Sequence, residues 1–151
     1  MKIRTLIGVG DKIGLLTLPF LIIGLIMNFT FPSLFSVGGP PKLLKVISAI
    51  ILLLGMIIWV WSVILILTKV PHRKLITNGP YAMVKHPLYI GVGFLVLPWI
   101  GFLLNTWLGV LLGIVIYVGS RKFSPEEEKK LSKIFGNKWE EYCKKVKIPW
   151  L

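Results

Sequence analysis

Long apolar stretches alternate with short polar ones along this chain. Residues 13–31 carry no charge, and only Thr17, Asn28 and Thr30 interrupt the run with small polar groups. Residues 46–68 are likewise uncharged and rich in Leu and Ile. Each stretch matches the ~20 residues that cross a hydrocarbon core. A third uncharged stretch runs from Pro87 to Ser120 and exceeds the ~17–25 residues of one span. Asn105-Thr106 lies near its middle, which predicts two short helices, 88–104 and 107–120, joined by a tight turn. One long span with a re-entrant piece is the other partition. Four spans predict an all-α integral membrane bundle, because a helix satisfies its own backbone groups within lipid. A single domain, 1–151, covers the chain.

Two polar segments fall outside the spans. Residues 69–87 hold the turn signal Thr77-Asn78-Gly79-Pro80, and Pro87 pushes His86 toward an extended backbone. This segment reads as a shaped loop leading into the third span. Residues 124–148 open with Ser124, Pro125 and Glu127, the elements of a capped helix start. Leu131, Phe135, Trp139, Tyr142 and Val146 follow at spacings of three and four, with lysines opposite. The pattern predicts an amphipathic helix at the membrane surface, broken or bent at Gly136 and ended by Pro149.

Composition agrees. Of 151 residues, 55% are hydrophobic and only 16% are charged, against roughly 25% in soluble domains. The formal charge is +12. With four spans, the N-terminus, the 69–87 loop and the tail share one side. Of the eighteen Lys and Arg, the other side keeps only Lys42 and Lys45. This positive-inside pattern places both termini in the cytoplasm and accounts for the charge without nucleic acid. It also predicts attraction to anionic lipid head groups. Lys2 and Arg4 precede the first run as they would in a signal peptide, but the run exceeds the usual ~7–15 residues. The single cysteine, Cys143, excludes an internal disulfide. His72 and His86 lack a third ligand at metal-binding spacing. Gly109-x-x-x-Gly113 permits close helix packing, with the oligomeric state left open.

Three groups of residues are candidates for chemistry. The first is the segment from Gly79 to Gly91, which packs Gly, Tyr, His and Pro at a membrane entrance, and where Gly91 permits close approach to the backbone. The second is Glu126-Glu127-Glu128. Dipole complementation at a helix start explains these acids, and binding of ribose hydroxyls is the functional alternative. The third is Phe135, Trp139 and Tyr142, either interfacial anchors or a wall for an adenine ring or sulfonium cation. The hairpin over 88–120 returns the chain to the same side, so His86 and Glu127 can meet.

These strings resemble the isoprenylcysteine carboxyl methyltransferase and phospholipid methyltransferase superfamily. The family pattern G-P-Y-x-x-V-[RK]-H-P-x-Y-x-G stands at Gly79 through Gly91. A second, E-E-x-x-L-x-x-x-F-G-x-x-[YW]-x-x-Y, stands at Glu127 through Tyr142. The resemblance covers roughly residues 69–150. It implies an S-adenosylmethionine-dependent membrane methyltransferase acting on a lipophilic acceptor from the bilayer, either an isoprenylcysteine-like carboxylate or a phospholipid amine. By matching positions it implies a cofactor pocket of Gly79, Tyr81, His86, Pro87, Tyr89, Gly91, Glu127, Glu128 and Tyr142. It casts His86, Glu127, Glu128 and Arg121 as candidate catalytic residues. Family members often carry an arginine four residues before the paired glutamates. Phe123 stands there, with Arg121 and Lys122 close by.

Two other readings compete. Membrane sterol and enoyl reductases, which use NADPH, share a His-Pro-x-Tyr-x-Gly string and a Trp-x-x-Tyr tail. A basic, non-enzymatic membrane protein would also fit the composition. The paired glutamates before Leu131 favour the methyltransferase.

Overall fold

The computed structural model describes residues 9–148, and the regular structure among them is helical. We label the principal helices α1 (Gly10–Thr30), α2 (Lys42–Lys69), α3 (Pro87–Leu103), α4 (Leu108–Phe135) and α5 (Asn137–Lys145). Lys2, Arg4 and Pro149 lie outside the described residues. Among the described residues, three helices, α1, α2 and α4, are long and apolar enough to cross a membrane. The apolar part of α4 ends near Ser120, and its charged remainder extends beyond that level. α3 is apolar but shorter.

Small residues let the helices pack closely. A Cβ on Gly109 would fall 1.9 Å from the Leu97 carbonyl oxygen, and one on Gly113 would fall 2.3 Å from that of Gly93. The Gly109-x-x-x-Gly113 pair is therefore used within the chain, holding α4 against α3. Ser48 and Ser62 are buried on α2, while Leu15, Phe29, Leu43 and Leu53 project outward, as lipid-facing side chains do.

A π-helical turn over Gly91–Val96 interrupts α3. Its cause lies just downstream. Pro98 has no N–H and its ring would crowd the carbonyl of Phe94. The widened turn frees that carbonyl, which accepts the indole N–H of Trp99 at 3.0 Å.

The α3–α4 turn is pinned at the far end of the bundle. Asn105 adopts φ +56°. Its Oδ1 accepts the Gly39 N–H and its Nδ2 donates to Ser36 Oγ, both at 3.0 Å. The Thr106 hydroxyl donates to Asn28 Oδ1 at 2.7 Å and accepts the Leu108 N–H at 3.2 Å. That end thus ties the α1–α2 connection to the hairpin tip.

The expected helix start at Ser124 does not occur. α4 continues through Ser124 and Pro125 to Phe135. Ser124 is buried, and its hydroxyl faces that of Ser120 at 3.3 Å. Pro125 costs α4 one intrahelical bond. The acids flanking the expected capping residue Glu127 are engaged elsewhere: Glu126 pairs with Lys12 and Lys130, and Glu128 with Lys85. Gly136, at φ +52°, then turns the chain into α5. The break expected at Gly136 is present, but the helix before it is the end of α4 and does not start at Ser124.

Candidate functional site

The site forms where the start of α3, the charged end of α4 and α5 converge. Pro87 occupies the first turn of α3 and holds His86 off the helix at φ −125°, ψ 59°. The buried His86 ring thereby reaches α4. Its Nε2 lies 3.2 Å from Glu128 Oε1, and its Nδ1 lies 3.8 Å from Glu127 Oε2. Lys85 Nζ reaches the same Glu128 oxygen at 2.7 Å. One histidine is thus set between two consecutive carboxylates from a helix distant in sequence.

The two carboxylates differ electrostatically, and both lie beyond the apolar part of α4. The hydrogen bond from His86, aided by Lys85, holds Glu128 down at about 2. Burial pushes Glu127 upward, because desolvation penalises its charged form. Its Oε2 is buried and has no hydrogen-bond partner among the described residues. Such an atom normally finds a donor, and none of the described residues supplies one here.

α5 closes the site from the other side. Trp139, Tyr142 and Val146 form a buried cluster with Leu75, Leu131 and Phe135. The apolar stripe of the sequence thus persists across the Gly136 turn. The Tyr142 hydroxyl donates to the Tyr81 carbonyl at 2.8 Å. Beyond α5, the Ile148 N–H donates to the Met83 carbonyl at 2.9 Å, fastening the tail to the 79–84 loop. Burial raises the phenols of Tyr81 and Tyr142, so both stay protonated donors.

A cavity of about 840 Å³ lies among these elements. That falls within the ~300–1,000 Å³ usual for small-molecule sites. Lys85, His86, Glu127 and Tyr81 line its polar part. Ile66 and Leu67 of α2, Leu131 of α4 and the aromatics Phe135, Trp139 and Tyr142 line the rest. Trp139 and Tyr142 lie with ring centroids 5.4 Å apart.

Of the residues singled out from sequence, Tyr81, His86, Tyr89, Glu127 and Tyr142 line this cavity. Glu128 stands behind them, fixing His86 and Lys85. The others fall elsewhere. Gly79 adopts φ +62°, and a Cβ there would meet the Trp61 ring at 3.0 Å, so it is a packed turn. Pro87 is fully buried. Gly91 begins the π turn and faces Ile58 of α2. Arg121 is exposed and does not line the cavity. Phe123, at the family arginine position, lies beneath Lys12, whose Nζ is 5.9 Å from the ring centroid.

The cavity also recruits residues that the sequence reading passed over. Arg73 and Lys74 line its rim, and Gly10 brings the start of α1 to its edge. Asp11 and Lys12, charged residues beside an apolar run, were the one sequence hint that this end of α1 lies at the polar level.

Comparison with known proteins follows the same lines. The model of the isoprenylcysteine carboxyl methyltransferase (ICMT) family matches residues 43–133. The match contains α2, the 79–91 string, the hairpin and the paired glutamates. Searches of curated proteins and of solved structures return no match.

Proposed function

The chain belongs to the isoprenylcysteine carboxyl methyltransferase family, and from that premise we propose that it transfers a methyl group from S-adenosylmethionine to a lipophilic acceptor at its basic membrane face. The observation that carries the reading is the unpartnered Glu127 oxygen beside His86, inside a cavity with one polar and one aromatic part. A carboxylate there accepts ribose hydroxyls or an ammonium. Phe135, Trp139 and Tyr142 offer faces for an adenine ring and for a sulfonium charge. These residues fit the cofactor.

When bound, the cofactor supplies an electrophilic methyl on sulfur. The protein must align and desolvate the reactants. Glu128 and Lys85 fix the His86 ring, and His86 in turn flanks Glu127. Tyr142 ties α5 to Tyr81. The acceptor's lone pair would take that methyl, and the cofactor would leave as its neutral thioether. A carboxylate acceptor needs no base. An amine acceptor must lose a proton, and the raised Glu127 is the group placed to receive it.

We also read α3 as a fourth crossing. It starts beside Glu127 and Glu128 and ends at the turn tied to Asn28 of α1, so it covers the same depth as α1. Its length, roughly 25 Å, approaches the ~30 Å core. The basic face is then cytoplasmic, with α5 lying on it.

The test uses membranes containing the chain, incubated with methyl-labelled S-adenosylmethionine and extracted with organic solvent. Label in the organic phase, lost in the Glu127→Ala variant, is expected. Alkali-labile label identifies a methyl ester, and alkali-stable label a methylated amine. Absence of label, together with saturable NADPH binding by the purified protein, would overturn the reading in favour of a reductase.

A further inference from the structure

A second concavity, of about 600 Å³, adjoins the first against α5. Arg73 and Lys74 of the loop after α2, and Lys138 and Lys145 of α5, converge on it. All four are exposed. Leu75 and Val146 supply an apolar floor. Glu141 is the only acid that lines it.

The distribution of ion pairs sets these cations apart. Lys12 and Lys130 are paired with Glu126, and Lys85 with Glu128. Among the described residues, no ion pair engages Arg73, Lys74, Lys138 or Lys145. Four cations against the one carboxylate of Glu141 leave the hollow with a net positive charge that an anion would offset. Arg73 also adopts a left-handed backbone, φ +52°, that L residues rarely take. That turn ends the helical run after α2 and carries Arg73 and Lys74 onto the groove. Backbone strain of this kind gathers at binding sites.

We propose that this groove, which adjoins the methyl-transfer cavity and shares Arg73 and Lys74 with its rim, holds the phosphate head group of an anionic glycerophospholipid. Charge and floor together point to that ligand. The cations match a phosphate, for which Arg73 offers bidentate N–H donors. The apolar floor suits a glycerol backbone and the start of an acyl chain, which a free phosphate lacks. The groove lies past the end of α2, a helix long and apolar enough to cross a membrane. The proposal goes beyond the catalytic reading and does not depend on which cofactor the cavity takes.

The test titrates the full chain, purified in an uncharged detergent, by calorimetry. Three probes are used: dihexanoyl phosphatidylglycerol, dihexanoyl phosphatidylcholine and sodium phosphate. Saturable binding of phosphatidylglycerol alone is expected. Each surface cation contributes about fivefold in binding, so the double variant Lys138→Gln, Lys145→Gln should weaken it about 25-fold. Arg73→Gln, on a different element, should weaken it as well. Lys42→Gln with Lys45→Gln removes the same charge at the opposite end and should leave binding intact. A near-ultraviolet spectrum unchanged from wild type, to which the buried Trp139 and Tyr142 contribute, verifies the packing of each variant. Equal binding of phosphatidylcholine, equal loss in the Lys42 and Lys45 variant, or sodium phosphate binding as tightly as the lipid would each overturn the proposal.

Discussion

Replacing Gly109 with alanine tests the packing that brings α4 to His86. Two effects oppose each other. Alanine favours a helix interior over glycine by about 1 kcal/mol. Against this, the new Cβ would lie 1.9 Å from the Leu97 carbonyl oxygen and 3.1 Å from the Gly101 Cα. Carbon–oxygen contacts between packed helices are usually ~3.3–3.6 Å. Both neighbours are backbone, so no side chain can rotate away, and the helices must separate by roughly 1 Å. A gap of that size forfeits about a quarter to a half of each contact well along the seam. Overpacking of this kind costs roughly 1–3 kcal/mol or more. The steric term wins, and we expect a net loss of about 2 kcal/mol. Gly14→Ala is the matched control, because nothing lies within 4 Å of its Cβ position. It should be neutral or slightly stabilising. Gly91→Ala meets only an Ile58 methyl at 3.9 Å and should also be tolerated. The assay is unfolding in mixed micelles with rising dodecyl sulfate, followed by far-ultraviolet circular dichroism. Gly109→Ala unfolding together with Gly14→Ala would refute the packing argument.

Other substitutions probe the site. Glu128→Gln removes a carboxylate held down from 4.5 to about 2. At about 1.36 kcal/mol per pH unit this corresponds to about 3 kcal/mol, which solvent screening at 28% exposure reduces to about 1–2 kcal/mol. Because the folded pKa lies below the unfolded one, the stabilisation is full above pH 4.5 and fades toward pH 2. The stability gap between wild type and variant should therefore close over that window, and a gap independent of pH would contradict the assignment. Tyr142→Phe loses the bond to the Tyr81 carbonyl and should cost about 1 kcal/mol in the same unfolding assay. Gly136→Ala forces a side chain into φ +52°, ψ −129°, at a cost of roughly 1–3 kcal/mol. It should expose Trp139 to iodide quenching while the far-ultraviolet spectrum of the longer helices persists.

The hydrophobic pattern made the long helices legible, since runs such as 13–31 and 46–68 admit few other arrangements in water or lipid. It also made the hairpin legible, because Asn105-Thr106 is the one polar break in an overlong run. The return of the hairpin was enough to expect His86 near Glu127. Other features depend on contacts that no local pattern encodes. The π turn follows from Pro98 and Trp99 competing for the Phe94 carbonyl. Ser124 and Pro125 carry a strong local start signal, yet Lys12 and Lys85, from other elements, claim the neighbouring glutamates and α4 continues. Gly79 lies in the motif string, but its freedom serves a positive-φ turn packed against Trp61. Arg73 and Lys74 read as ordinary loop charges because only folding sets them opposite α5.

The central claim is that the cavity beside His86 binds the methyl donor through Glu127. It is tested most directly by calorimetric titration of S-adenosylhomocysteine into the detergent-purified chain. Wild type, Glu127→Gln and Glu126→Gln should be compared side by side. Glu126 is paired with Lys12 and Lys130 at the surface and does not line the cavity. Saturable binding by wild type and Glu126→Gln, weakened at least tenfold in Glu127→Gln, is the predicted result. Equal affinity in all three proteins, or no binding by wild type, would contradict the account.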